Sequence, residues 1–425
     1  MRLRKALYGT RQAGHAWQNY LSGIFEGEGG KRNLKDECVY TFKEGEGVCI
    51  IGTHVDDLFP LYNEEGKKIR DRVFRKLEEK MEIDNKGEIK YALDTCIETD
   101  REKGTLRISQ EVFISNMIKE FNLQESHGKE TPGPVDTISE TDLPVTDTDI
   151  KDVSQLPIRN AIGKLWWAAL ISRPDIVCAL HKCASWQNKP SKKLWTNILW
   201  IMKYLKQTIK YAIVYKREQD INVEFEAFCD ASFATESKSK SRIGYVYFVH
   251  GCLVAWGSVH TTRVVTSSTE AEAYALVVVC QENTWIRDFM QEISNNVQKV
   301  PTIIHQDNKG AISLTNGGGQ HKRSKHFQIE FDMLREKVRE KEIEIKYMET
   351  NEMIADMFTK MLHKPLFQKH RNKFMEEGGE KKGQERKNKT MSMVGVSTSM
   401  DKPKADAQSS EYHPDEREER LQSES

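Results

Sequence analysis

Four acidic residues interrupt otherwise apolar stretches in the second half of this chain. Any fold that buries those stretches must either gather the charges or find each of them a partner. They are Asp230 in Phe-Cys-Asp-Ala-Ser (228–232), Glu270 in Ser-Ser-Thr-Glu-Ala-Glu (267–272), Asp307 in His-Gln-Asp-Asn (305–308) and Asp356 in Ile-Ala-Asp-Met-Phe-Thr-Lys (354–360). Asp230 ends a strand pattern in which Phe225, Ala227 and Cys229 share one face, leaving Asp230 with Glu226 and Phe228 on the other. Asp307 follows the short apolar run 302–305, at the C-terminal mouth of a strand, where open α/β sheets bind ligands. Glu270 lies four, seven and eight residues before Tyr274, Val277 and Val278, an apolar helix face that is an odd home for a lone acid. Asp356 falls inside a short helical pattern.

Each position also has a plain structural reading. Asp230 could be a turn residue, and Asp307-Asn308 an N-cap for the helix beginning at Lys309. Ser267 and Glu270 fit a capping box, as do Thr269 and Glu272, and Asp356 could sit on a solvated face. Four carboxylates brought together would repel one another unless a cation joined them. Hard oxygen donors suit Mg²⁺, and two such ions roughly 4 Å apart can clamp the attacking and leaving oxygens of a phosphodiester.

The 425 residues suffice for two or three domains, and 64 basic residues balance 64 acidic ones, which excludes a uniformly basic nucleic-acid coat but not local basic patches. No apolar run approaches the roughly 20 residues of a membrane span, and no secretory signal pattern opens the sequence. The eight cysteines form no C-x-x-C pair, so reduced thiols in an intracellular protein are expected. Residues 1–125 alternate helix and strand signals: a helix over 10–25, a hairpin of 38–42 with 48–54, a helix over 67–81, strands at 89–96 and 105–108, and a helix over 110–121. A polar, Pro- and Gly-containing stretch, 126–157, reads as a linker. Residues 158–210 form a Trp-rich helical block of two helices split near Pro190. Its aromatics either pack between helices or stack on bases. Residues 211–363 read as strands at 211–215, 223–229, 244–249 and 252–257, a long helix from 270, a strand at 302–305, helices, a strand at 343–348 and a closing helix. Residues 364–425 read as a basic, disordered tail.

The ordered segments Phe-Cys-Asp-Ala-Ser-Phe-Ala, Ile-Gly-Tyr-Val, Ala-Trp-Gly-Ser, Ser-Ser-Thr-Glu-Ala-Glu, Gln-Asp-Asn-Lys-Gly-Ala-Ile, His-Lys-Arg-Ser-Lys-His, Leu-Arg-Glu-Lys-Val and Ala-Asp-Met-Phe-Thr-Lys closely resemble the ribonuclease H domain of copia-type retrotransposon polyproteins. Upstream, 3–17, Val55-Asp56-Asp57, 87–93 and 161–180 resemble the reverse transcriptase portion of the same polyprotein. The resemblance implies a mixed α/β (α+β) architecture: a partial polymerase palm and thumb, an RNase H-like mixed-sheet domain and a disordered tail. It implies cleavage of RNA in RNA–DNA hybrids with two Mg²⁺ ions (Mn²⁺ as the alternative), held by Asp230, Glu270, Asp307 and Asp356. Lys322, Arg323, Lys325 and His326 would contact phosphates, and Ser232, Gln306 and Asn308 would contact 2′-hydroxyls.

Asp56 and Asp57 match two of the three palm carboxylates of such polymerases. The third lies in a family segment upstream of this sequence, so no autonomous DNA synthesis is expected unless a longer Pol chain supplies it. His54 replaces the usual Tyr before Val-Asp-Asp. Gly14, Thr10 and Asp94 stand where the family often has Pro, Leu and Gly, and 349–352 lacks the His that some related enzymes carry before the last acid. The competing expectation is an element remnant that binds nucleic acid and cuts nothing. The resemblance places the chain in the cytoplasm, particle-associated, or in the nucleus, with no membrane partner.

Overall fold

The computed structural model describes residue 7 and residues 9–134, 138–217, 224–233, 240–261, 265–294, 300–315, 328–378 and 392–399. The chain divides into two compact units, one of residues 1–89 with 389–425 and one of residues 90–388.

The smaller unit contains helix α1 (Arg11–Gly27), strands β1 (Lys31–Arg32), β2 (Val39–Glu44), β3 (Gly47–His54) and β4 (Asp57–Tyr62), helix α2 (Lys67–Glu78) and strand β5 (Glu82–Glu88). The expected hairpin forms: Val39 to Glu44 pair antiparallel with Gly52 to Gly47. The alternating burial of β4 puts Leu58 and Tyr62 in a core with Phe25, Phe42, Ile51, Val73 and Leu77. That core lies where the apolar stripes of α1 and α2 meet one face of the sheet.

The larger unit continues with strands β6 (Tyr91–Ala92), β7 (Thr95–Asp100) and β8 (Thr105–Ser109) and helices α3 (Glu111–Glu120), α4 (Asp147–Ser154), α5 (Ile158–Ile171), α6 (Val177–Ser185) and α7 (Lys192–Gln207). Next come strands β9 (Tyr211–Lys216), β10 (Phe225–Ser232), β11 (Arg242–Val249) and β12 (Cys252–His260), helix α8 (Ser268–Ile293), strand β13 (Thr302–Gln306) and helices α9 (Lys309–Thr315) and α10 (Gln328–Arg339). Strand β14 (Ile343–Tyr347), helices α11 (Asp356–Thr359) and α12 (Lys364–Arg371) and strand β15 (Met375–Glu377) complete it. A final strand, β16 (Ser392–Ser399), belongs to the smaller unit, pairing antiparallel with both β4 and β5.

The central sheet of the larger unit runs β12-β11-β10-β13-β14. Its first three strands are antiparallel, and β13 and β14 join in parallel. Both faces are covered, as the parallel part requires. Phe225, Ala227, Cys229 and Tyr247 pack with Leu276, Val279 and Leu334 on one side. Phe228, Val246 and Phe248 pack with the helical block on the other.

Several expectations change. The Trp-rich block is three helices, because Pro174 ends the first: Arg173, the residue before it, adopts φ −124°, ψ 62° instead of helical angles. Strand β9 belongs to a separate sheet, β15-β9-β8-β7-β6, so the boundary at residue 125 moves to 89. Residues 126–157 are no free linker, since Ile138 and Val153 enter the core. Nor is 364–377 a disordered tail. Phe367 and Phe374 are buried, and Arg371 donates to Tyr204 Oη (3.2 Å) and Tyr211 Oη (2.9 Å). Those anchors sit in a stretch whose overall composition is polar. Residues 379–391 and 400–425 lie outside the described residues.

The same network holds a fully buried ion pair. Arg173 Nη2 bonds Asp175 Oδ2 at 2.7 Å, with both side chains at 0% exposure, and Tyr204 donates to that same oxygen at 2.5 Å. Removing one partner of such a pair leaves the other charge uncompensated in the core. Asp175→Ala is expected to destabilise the larger unit by about 3–5 kcal/mol, seen as a lower urea midpoint with the slope unchanged. A loss under about 1 kcal/mol would show the pair to be dispensable.

Candidate metal centre

The acidic site forms where β10 and β13 part. Their parallel pairing is last recorded at Phe228 opposite His305, and two residues farther along each strand stand Asp230 and Asp307. Carboxylate oxygens of Asp230, Glu272 and Asp307 lie within 4.8 Å of one another. Asp230 and Glu272 are buried, and Asp307 is half-buried. The third acid is thus Glu272, not Glu270.

The correction follows from helix phase. Two residues correspond to about 200° of α-helix, so the acids at 270 and 272 point to nearly opposite sides. Glu272 shares its side with Leu276, Val279 and Asn283, each fully buried. Glu270 instead completes the helix start. Its backbone N–H donates to Ser267 Oγ (3.2 Å), and its Oε2 accepts from Thr266 N (2.6 Å) and Thr266 Oγ1 (2.7 Å). That is a capping arrangement displaced by one residue.

Each acid has a fixed orienting partner. Glu272 Oε2 accepts from Ala231 N at 2.9 Å and from Gln306 Nε2 at 3.4 Å. Thr350 donates to Asp307 Oδ2 at 2.7 Å. Thr359 donates to Asp230 Oδ2. Asp356, the first residue of α11, is buried, and its Oδ1 lies 2.9 Å from Lys360 Nζ. The same ammonium reaches Asp230 at 3.3 Å, which ties the two acids together. Lys360 escaped the sequence reading, although its i,i+4 spacing from Asp356 was visible.

Gly244 makes this approach possible. It pairs with Asp230 across β10 and β11, and a Cβ there would lie 2.7 Å from Phe358 Cβ and 2.8 Å from Ala355 O. Only glycine lets α11 settle this close to the sheet and bring Asp356 over Asp230.

Burial, then the charges of Asp230 and Asp307, push the Glu272 carboxyl up to about 9. Burial, then Asp230, push Asp356 up to about 7, against the opposing pull of Lys360. The attraction of Asp230 and Asp356 raises Lys360 despite its burial. The residues present fit a hard divalent cation: the donors are carboxylate oxygens, closely spaced, and their mutual repulsion is what a cation would relieve.

Asp56 and Asp57 belong to the smaller unit, at the β3–β4 hairpin. The pairing of His54 with Asp57 leaves Val55 and Asp56 as the two-residue turn. Val55 takes φ +55°, unusual for a β-branched residue. Burial, then Asp56, raises the carboxyl pKa of Asp57. Among the described residues neither joins a group of three potential ligands. Pro60 in β4 concealed that strand from sequence inspection. Asn308 caps α9 by accepting from Ala311 N at 3.0 Å, and Ser232 is buried at the end of β10. Lys322, Arg323, Lys325 and His326 lie outside the described residues.

A carboxyl whose folded pKa is raised binds more protons folded than unfolded, so its cost is absent below about pH 4.5 and grows as pH climbs toward 9. In EDTA, Glu272→Gln is therefore expected to match the parent chain near pH 4.5 and to melt several degrees higher at pH 9. Mg²⁺ at pH 8 should raise the melting temperature of the parent but not of Glu272→Gln. Glu270→Gln should instead lose roughly 0.5–2 kcal/mol through its cap, without gaining stability at high pH. Equal pH profiles for the parent and Glu272→Gln would refute this assignment of the buried acid.

Residues 1–134 match the family model described as reverse transcriptase (RNA-dependent DNA polymerase). The chain is 26% identical over 372 residues to the retrovirus-related Pol polyprotein from transposon TNT 1-94 of Nicotiana tabacum, covering 86% of this chain and 27% of that protein. It is 26% identical over 378 residues to the corresponding polyprotein from transposon RE1 of Arabidopsis thaliana, covering 88% and 25%. The chain thus spans about a quarter of the length of the curated relatives it matches. Among solved structures, LC11-RNase H1 in complex with RNA/DNA hybrid is similar over 32% of this chain and 92% of that one, at 13% identity and a TM-score of 0.25. Over most of its length, this chain is similar to the Pol polyproteins of copia-type retrotransposons.

Proposed function

We propose that the larger unit hydrolyses the RNA strand of RNA–DNA hybrids, using two divalent cations held by Asp230, Glu272, Asp307 and Asp356. The observation that carries this reading is the gathering of three carboxylates from three separate elements within 4.8 Å. The family likeness of the flanking segments supports it. A purely structural cluster would not need a buried Glu272 against two further acids, since like charges at such distances destabilise the ionised site.

Asp230 and Asp307, on adjacent strand ends, offer oxygens toward a common point. Ala231 N–H and Gln306 fix the rotamer of Glu272, and Thr350 fixes Asp307. When bound, divalent cations would supply Lewis-acid stabilisation of charge on the scissile phosphate. Lys360, half-exposed and already bound to two of the acids, keeps the Asp230–Asp356 pair compact. The hybrid would lie across the mouth of the site, with Ser232 and Asn308 near its minor groove. The smaller unit, with Asp56 on the β3–β4 turn and Asp57 beginning β4, would act as part of a polymerase palm, together with a longer Pol chain where one is present.

The test uses the purified chain with a labelled RNA–DNA hybrid and Mg²⁺ or Mn²⁺. Cleavage of the RNA strand is expected. Asp230→Asn, Glu272→Gln and Asp307→Asn should each reduce the rate by at least about 100-fold, while Glu270→Gln should retain most of it. No cleavage by the parent chain would favour a remnant that only binds nucleic acid, and cleavage surviving Glu272→Gln would end this assignment.

A further inference from the structure

A second site lies on the same face of the central sheet as Asp230. Asp230 pairs with Gly244 and Ser232 with Arg242, so Arg242 lies two residues along β11 from the acids, about 7 Å, and on the same face. Beyond it opens a cleft of about 840 Å³ between the ends of β11 and β12 and helices α5 and α6, lined by Trp166, His181, Trp186, Lys189, Lys240 and His260. That volume is in the range of small-ligand sites.

Its chemistry is specific. Arg242 is fully buried beside the cleft, donating to Ser258 Oγ at 3.0 Å and lying 3.5 Å from His260 Nε2. Ser185 Oγ lies 3.3 Å from the same imidazole nitrogen. Trp166 and His181 meet edge to face at 4.7 Å and 85°, and His181 meets His260 at 6.1 Å and 85°. Each of these contacts sets one ring's edge against its neighbour's face, and Trp166, His181 and His260, with Trp186, all line the cleft. Burial, then the charges of Arg242 and His260, push the His181 imidazole down to about 3. It is therefore a neutral ring at physiological pH. Positive charge at the cleft comes from Lys240, exposed at the rim, while Lys189 is paired with Glu140 at 2.8 Å.

Flat rings beside an exposed ammonium suit an aromatic ring that carries an anion. We propose that this cleft binds an unpaired nucleotide of a single-stranded nucleic acid, its base against Trp166 and His181 and its phosphate toward Lys240. Stacking platforms combined with a basic groove are how proteins hold single strands without reading sequence. The proposal rests on the proposed nuclease reading only for the source of the strand, namely the portion of a hybrid that runs unpaired past the acidic site.

The experiment measures fluorescence anisotropy of a labelled 12-nucleotide oligothymidylate with the full chain in EDTA, where no cleavage intervenes. Saturable binding is expected, weakened about tenfold by Lys240→Glu, an exposed position outside the core. A matching strand bearing 5-iodouracil should photocrosslink to peptides containing Trp166, His181, Trp186 or His260. Thymidine monophosphate should compete and inorganic phosphate should not. Failure of the parent chain to bind, parent-like binding by Lys240→Glu, crosslinks elsewhere, or equal competition by phosphate alone would each overturn the proposal. Because the assay omits metal, binding with no hybrid cleavage would reject the nuclease reading and leave this one standing, and cleavage without single-strand binding would do the reverse.

Discussion

Like-charge repulsion is the constraint around which the larger unit is organised. Asp230, Glu272 and Asp307 converge within 4.8 Å, and Asp356 joins them through Lys360. Burial of Glu272, reinforced by the charges of Asp230 and Asp307, pushes its carboxyl up to about 9, and Lys360 is the local counter-charge. Such a site persists only where the surrounding fold fixes the backbone on every side. Here β10 is buried on both faces, with α8 behind it and α11 in front.

The position of α11 rests in turn on distant parts of the chain. Gly244 removes the side chain that would hold the helix off the sheet. Met353, Ile354, Met357 and Phe358 join the same core as α5, α6 and α7. Arg371 of α12, which follows α11, binds Tyr204 of α7, whose hydroxyl binds the buried Arg173–Asp175 pair. The helix that follows α11 is thus held to the helical block by a polar network. In such networks the members are coupled, and single deletions do not report independent contributions.

Much of this was legible in the sequence, and the gaps have identifiable causes. Strands β10, β13 and β14 announced themselves by apolar runs and alternation, so Asp307 was placed just past the end of β13, whereas β10 runs two residues beyond Asp230 to Ser232. Glu272 was obscured because 271–279 is nearly all small and apolar (Ala-Glu-Ala-Tyr-Ala-Leu-Val-Val-Val). A helix apolar on every side gives no phase from which to choose between two acids. Tertiary burial decides the phase, and it chose the side of Leu276 and Asn283. The membership of β9 was hidden for another reason. Its partner β8 lies about a hundred residues upstream, with Leu106 pairing with Tyr215, and local pattern carries no record of such long-range pairing. The order in 364–377 was missed because three anchors, Phe367, Arg371 and Phe374, outweigh a polar average. An arginine counted as solvated charge turned out to be 3% exposed.

The neutralising groups of the acidic site differ in how they can respond to a cation. Ala231 N–H belongs to the β10 backbone and cannot leave Glu272 without breaking the strand. Thr359 and Lys360 act through side chains, and Lys360, 40% exposed, can reach solvent by rotamer change alone. The fixed donor orients a carboxylate, whereas the mobile ammonium only balances charge. A divalent ion supplies more charge at closer range than an ammonium held 2.9 and 3.3 Å from its two acids. Exchange of one for the other therefore requires no movement of β10, β13 or α8. The carboxylate scaffold would accept a cation without rebuilding, and the lysine balances the same charges by weaker means.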